Sequence, residues 1–291
     1  MSVSLGYEAL RRGAGWLDLS ARGRIVVRGR DRARLLHAIT SNEVKKMTAG
    51  TGCYAFLLNP QGRIQADLCL FCFEDHFLID TEAEVREKVP AHIKRYIIAD
   101  QVELEDVTGA TAAIGVEGPG ATAMLAELGA PVPGDAYVHA AWGDATVAAV
   151  TATGQSGARI YCPAAGAAEV VRRLESAGVV AAGAEDARVV RVENGKPRYG
   201  EDIRETSLPQ ETQQMHAVSF NKGCYLGQEI VERIRAQGRV NRKLMRVVLE
   251  GVAAPAAGTK TMVDGAEAEV TSAVVSPESG DVVALAYVRQ R

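Results

Sequence analysis

The texture of the chain changes once, at Asn241, and that change limits the architectures open to it. Upstream, apolar residues recur at both helical and strand spacing. Downstream, 244–249, 267–275 and 282–288 are β-rich, with turn signals at Asp264-Gly265 and over 277–280 between them. No helical periodicity survives there. The expectation is an α+β body over 1–240, followed by a small β-barrel over 241–291. A length of 291 residues agrees, being about two units at ~150 residues per domain.

Within the body, 24–27 reads as a strand and 31–39 as a helix capped by Asp31, with Leu35, Leu36 and Ile39 as its apolar stripe. Residues 54–58 and 64–73 form the arms of a hairpin. The turn is Asn59-Pro60-Gln61-Gly62, with proline and glycine where a type I turn takes them. A strand at 77–79 precedes a helix from Thr81 to Ile97, kinked at Pro90. Strands at 111–116 and 145–151 and helices at 120–128 and 164–177 follow. From Arg188 the chain reads as polar and irregular until a helix at 228–235. Asp202 and Glu205 in that stretch read as solvated loop charges. No internal repeat is present.

Composition excludes several classes. Apolar residues at 47% and charged residues at 24% are globular values. No apolar run approaches the ~18 residues of a membrane span, and the start has no signal-peptide pattern. Five scattered cysteines are an odd number and form no disulfide framework, which fits a reducing compartment, the cytoplasm. Aromatics at 5% are too sparse for a stacking platform, so direct nucleic-acid binding is not expected. Charge is uneven: 222–246 carries seven basic and two acidic residues, a net +5 in a chain whose total is −3. One anionic partner at one place is the implication.

The densest cluster of unusual residues is Asn221-Lys222-Gly223-Cys224-Tyr225-Leu226-Gly227-Gln228-Glu229, running into a helix with Arg233, and Arg235 and Arg239 beyond. Lys222 and the helix start would favour a thiolate at Cys224, the nucleophilic and metal-binding form. Gln228 and Glu229 can bond a polar ligand, and Arg233, Arg235 and Arg239 offer an anion patch. A buried cysteine in a glycine-bounded loop beside a solvated basic face accounts for the same residues equally well. Cys69 and Cys72 have metal-pair spacing but point to opposite faces of a strand, so they read as core thiols. The five histidines share no metal-ligand spacing, and no metal site is expected. His216 reads as a loop histidine.

Lys-Gly-Cys-Tyr-x-Gly-Gln-Glu-x3-Arg, at 222–233, resembles the signature of the YgfZ family, folate-binding relatives of the glycine-cleavage T protein. The similarity extends to Trp16-Leu17-Asp18-Leu19-Ser20 and to Arg191-Val192-Glu193-Asn194-Gly195-Lys196-Pro197. It implies a GcvT-like ring of three domains, with 1–240 as two interleaved α+β subdomains, around a channel holding tetrahydrofolate or a derivative, in a monomer. It also implies a role in assembling or repairing iron–sulphur enzymes, with indirect effects on tRNA modification. Cys224 would be the essential thiol, either holding iron or an iron–sulphur cluster transiently or taking part in exchange chemistry, and iron–sulphur client or carrier proteins would be the partners.

The alternative is a tetrahydrofolate-dependent aminomethyltransferase, taking its group from a lipoyl carrier. Gly62-Arg63-Ile64-Gln65-Ala66-Asp67-Leu68 is similar to the transferase stretch and aligns the catalytic aspartate with Asp67. A carboxylate there is a base or orients a folate nitrogen. Tyr54 and Arg191 match folate-contacting positions, and Lys222, Gln228 and Glu229 complete the expected folate set. Arg159 stands where the transferases carry a pterin-gripping glutamate. A guanidinium has donors only, so it cannot accept the same bonds.

Overall fold

The computed structural model describes residues 3–290. The chain begins with α1 (Leu5–Arg12), β1 (Gly15–Asp18), β2 (Gly23–Arg28) and α2 (Arg32–Ile39). The hairpin β3 (Gly52–Leu58) and β4 (Ile64–Cys72), then β5 (Phe77–Thr81), α3 (Lys88–Lys94) and β6 (Glu103–Asp106) come next. β7 (Thr111–Glu117), α4 (Ala121–Glu127), β8 (His139–Trp142), β9 (Ala145–Ala148) and β10 (Gly157–Pro163) follow. α5 (Ala167–Ser176), β11 (Val180–Ala181), α6 (Ala184–Glu193) and α7 (Gln228–Gln237) lead to β12 (Arg242–Leu249), β13 (Lys260–Val263), β14 (Ala266–Val275) and β15 (Val282–Arg289).

These strands form three sheets, ordered β3-β4-β5-β2-β6, β11-β1-β7-β10-β9-β8 and β12-β15-β14-β13. The first two are interleaved, because β1 pairs with β7 while the whole five-stranded sheet lies between them in sequence. They share a buried layer containing Val26, Phe71, Leu78, Ala113, Ala148 and Tyr161. Cys69 joins that layer, and Cys72 joins the opposite face with Leu36 and Ile79. The two thiols therefore face away from one another, as strand alternation requires.

The β3–β4 turn forms as expected. Gly62 N–H donates to Asn59 O at 2.9 Å, and the Asn59 side chain accepts from the N–H groups of Gln61 and Arg63. Asp31 sits at the N-cap of α2 but does not cap it; its Oδ2 accepts from Gln101 N–H at 2.8 Å and ties down a neighbouring loop. The helix expected over 81–97 is broken. Thr81 completes β5, a 3-10 turn covers Ala83–Val85, and α3 starts at Lys88. Pro90 is its third residue, within the first turn, where a missing N–H breaks no helical bond, so no kink results.

Two further expectations are corrected. The segment from Arg188 is irregular from Asn194 to the start of α7, as expected, but its first six residues belong to α6. The buried face of α6 is Val190, Arg191, Val192 and Glu193, and two charged residues on that face disguise the stripe. The C-terminal strands do not close into a barrel. They make an open four-stranded sheet whose edges, β12 and β13, do not pair among the described residues. Even a small barrel takes about five strands, and this segment supplies four.

Candidate active site

A cavity of about 810 Å³ opens between the two interleaved sheets and α6. Its chemistry centres on the β3–β4 hairpin. Register places Tyr54 opposite Cys69, which makes Asp67, two residues away on the same face, its diagonal neighbour. Tyr54 OH donates to Asp67 Oδ2 at 2.8 Å. Asp67 Oδ1 is buried and has no partner among the described residues. Burial, and then the negative charge of Glu82, push the Asp67 carboxyl up to about 6 against the opposing pull of Arg22.

Aromatic rings wall the space beside this pair. His216 stacks on Tyr54 with centroids 5.2 Å apart, and Tyr137 lies nearly parallel to Tyr54 at 6.4 Å. Tyr137 adopts φ +64°, a left-handed conformation uncommon for a bulky residue. Its N–H donates to Ala149 O at 2.9 Å, which holds it there. His216 therefore belongs to the cavity wall, and burial lowers its pKa.

Asp80, directly opposite Cys69 on β5, anchors the inner wall. Its Oδ2 accepts from Arg159 at 2.7 Å and from Tyr161 OH at 2.5 Å, and its Oδ1 from Arg22 at 2.6 Å. Burial opposes its ionisation, but Arg159 and Arg22 outweigh that and hold the carboxyl at about 2. Arg191, from α6, lines the opposite side. It donates to Asp202 Oδ2 at 2.5 Å, to Lys196 O at 2.9 Å and to Glu201. Lys196 donates to Thr151 O at 2.5 Å and lines the cavity with no carboxylate partner among the described residues. Burial lowers its pKa.

Asp202 is fully buried, not a solvated loop charge. Its Oδ1 accepts from the hydroxyls of Thr271 and Ser272, both at 2.6 Å, at the register shift in β14. The bulge directs two successive hydroxyls at one carboxylate, so the C-terminal sheet buttresses Arg191 without lining the cavity.

The remaining expected site residues lie elsewhere. Lys222 is buried, and its ammonium donates to His37 O at 2.5 Å, Thr40 O at 2.6 Å and Asn42 O at 2.7 Å, at the C-terminal end of α2. All three donors are used, so Lys222 stitches the loop to a helix end. Burial lowers it to about 8. Gln228 Oε1 accepts from Tyr225 N–H at 3.3 Å, and Glu229 is exposed. None of these three lines the cavity. Cys224 is exposed outside the cavity, on a loop pressed against the hairpin turn. A Cβ at Gly227, which has φ +82°, would meet Asn59 O at 2.6 Å. Arg233 and Arg239 are exposed, and Arg235 stacks over Phe220 at 4.3 Å. Among the described residues no three His, Cys, Asp or Glu side chains form a metal-holding group. No helix there is long and apolar enough to cross a membrane.

Sequence reasoning missed Asp80, Tyr137 and Lys196. Asp80 carried a signal, a lone acid inside an apolar strand, whereas Tyr137 reaches the site through a loop that no periodicity marks.

The profile of the GCVT N-terminal domain matches residues 2–222. The chain belongs to the GCVT N-terminal domain family. Within that family, the aminomethyltransferase of Rubrobacter xylanophilus is 31% identical over 297 residues, covering 98% of this chain and 79% of its own. An aminomethyltransferase of Thermus thermophilus is 30% identical, covering 99% and 83%. The crystal structure of glycine cleavage system aminomethyltransferase T from Bartonella henselae superposes with a TM-score of 0.87 over 98% of this chain and 80% of that one. At 22% identity that is a likeness of fold. The expected GcvT-like α+β fold is therefore present. The relatives' names favour the transferase alternative over the YgfZ reading.

Proposed function

We propose that this chain binds a tetrahydrofolate in the cavity around Asp67 and takes part there in aminomethyl or related one-carbon transfer. The observation that carries the reading is a buried carboxyl held by Tyr54 beside aromatic walls, with one oxygen unpaired among the described residues. The cavity's volume falls in the usual range for a small-molecule site. A flat ring suits the faces of Tyr54, Tyr137 and His216, and Lys196, beside the anchored Arg191, suits an anionic tail. A bound tetrahydrofolate supplies nitrogens that carry the one-carbon unit.

Within that reading, Tyr54 fixes Asp67 through Oδ2, so Oδ1 is the atom that takes a proton or accepts an N–H. A pKa near 6 keeps Asp67 mostly ionised at pH 7.5 yet basic enough to work. Residues 1–240 would form the folate-binding unit and 241–291 its buttress, in a cytoplasmic monomer. The test is transfer from an aminomethylated lipoyl carrier to tetrahydrofolate. Wild type is expected to turn over and Asp67→Asn to lose at least ~100-fold. No transfer from a competent donor would defeat the transferase reading.

Cys224 favours a second reading. The Lys-Gly-Cys segment that starts at 222 carries an exposed thiol. An accessory role for iron–sulphur enzymes, with a cluster held transiently at Cys224 and tRNA modification affected indirectly, rests on that segment. It predicts that Cys224→Ser abolishes rescue of [4Fe–4S] enzyme activity in cells lacking the gene, while folate binding persists. Full rescue by Cys224→Ser would leave the transferase reading alone.

A further inference from the structure

Two buried side-chain atoms of residues that line the cavity have no hydrogen-bond partner among the described residues, and they are of opposite kind. One is the acceptor Asp67 Oδ1, on β4. The other is the donor Arg159 Nε, on β10 of the facing sheet, in a side chain only 2% exposed. Arg159 is not free to turn away. Its Nη1 is locked to Asp80 Oδ2 at 2.7 Å, and Asp80 is itself fixed by Arg22 and Tyr161. A buried N–H left without an acceptor is destabilising, so its retention here implies an acceptor from elsewhere. A guanidinium offers donors only and stays charged throughout the working pH range.

We infer that Arg159 is a specificity-determining residue, whose Nε–H donates to a ring acceptor of the bound heterocycle while Asp67 Oδ1 takes an N–H from it. The inference rests on the folate reading above and deepens it. In a reduced pteridine the acceptor is the 4-oxo group, so the ring is turned with that oxygen toward Arg159. The pocket thereby rejects a ring that presents a donor at the same position.

Equilibrium titration with two probes tests this: tetrahydrofolate, and its reduced 4-amino counterpart, which replaces the oxo acceptor by an amino donor. Wild type is expected to bind the 4-amino probe at least ~10-fold more weakly, because a buried donor would then face a donor. Arg159→Lys keeps a cation beside Asp80 but lacks the Nε–H. It should bind tetrahydrofolate more weakly and discriminate less than about threefold. Equal binding of both probes by wild type overturns the inference and leaves the folate reading standing. Retained discrimination in a folded Arg159→Lys protein also overturns it. Should that variant not fold, the wild-type comparison decides alone. If wild type binds neither probe, the folate reading falls and takes the inference with it.

Discussion

Tyr54 and Asp67 meet across the hairpin as diagonal neighbours, phenol oxygen to carboxylate oxygen at 2.8 Å, and the second carboxylate oxygen is buried without a partner among the described residues. A tyrosine and an aspartate thirteen residues apart become one unit only because the turn at 59–62 fixes the register. A one-residue slip would send Asp67 to the other face of the sheet.

Burial of this carboxyl makes a pH-dependent stability prediction. The folded-state pKa near 6 lies above the ordinary 3.8, so the folded protein holds the proton more tightly than the unfolded chain does. That contribution is present in full below pH 4 and is lost as pH rises through 6. Asp67→Asn should therefore raise stability at pH 7.5 by about 1–3 kcal/mol, with the gain shrinking toward pH 4. Urea unfolding at the two pH values checks this. The same titration predicts that transfer rises through pH 6 in wild type.

Lys222 is a structural cation. Lys222→Met leaves three carbonyls without their donor, and the expected loss is at least about 2 kcal/mol by denaturant unfolding. Affinity for tetrahydrofolate should change far less than stability, since the residue does not line the cavity.

The path from the C-terminal sheet to the cavity runs through Asp202. Asp202→Asn removes a buried charge shared by Arg191, Thr271 and Ser272. A loss of about 3 kcal/mol is expected, with weaker folate binding as Arg191 loses its anchor. A destabilised variant with unchanged affinity would separate the sheet from the site.

Cys224 makes the opposite prediction. The thiol is exposed, so Cys224→Ser should leave unfolding within about 0.5 kcal/mol of wild type. Thermal unfolding checks it, and any effect of the change in cells then reflects chemistry at the sulphur.

How much was legible follows from locality. The β3–β4 turn was readable because Asn59, Pro60 and Gly62 satisfy their own backbone within four residues. Cys69 and Cys72 were readable from strand alternation alone. α6 was not, because Arg191 is buried against Asp202 across an irregular loop, and Glu193 against Tyr7 and Ser276, which are 186 and 83 residues away. Tyr54, Asp67 and Arg191 came from family resemblance, and the structure brings all three to one cavity. Lys222 misled for a physical reason. A lysine beside a cysteine suggests thiolate chemistry, but helix-end carbonyls 180 residues upstream had already claimed it.

The central claim is that the cavity around Asp67 holds a reduced folate, and calorimetric titration of tetrahydrofolate tests it most directly. Wild type should bind one equivalent, Asp67→Leu at least ~10-fold more weakly, and Cys224→Ser like wild type. Absence of binding to wild type, or equal binding to folded Asp67→Leu, would contradict the account.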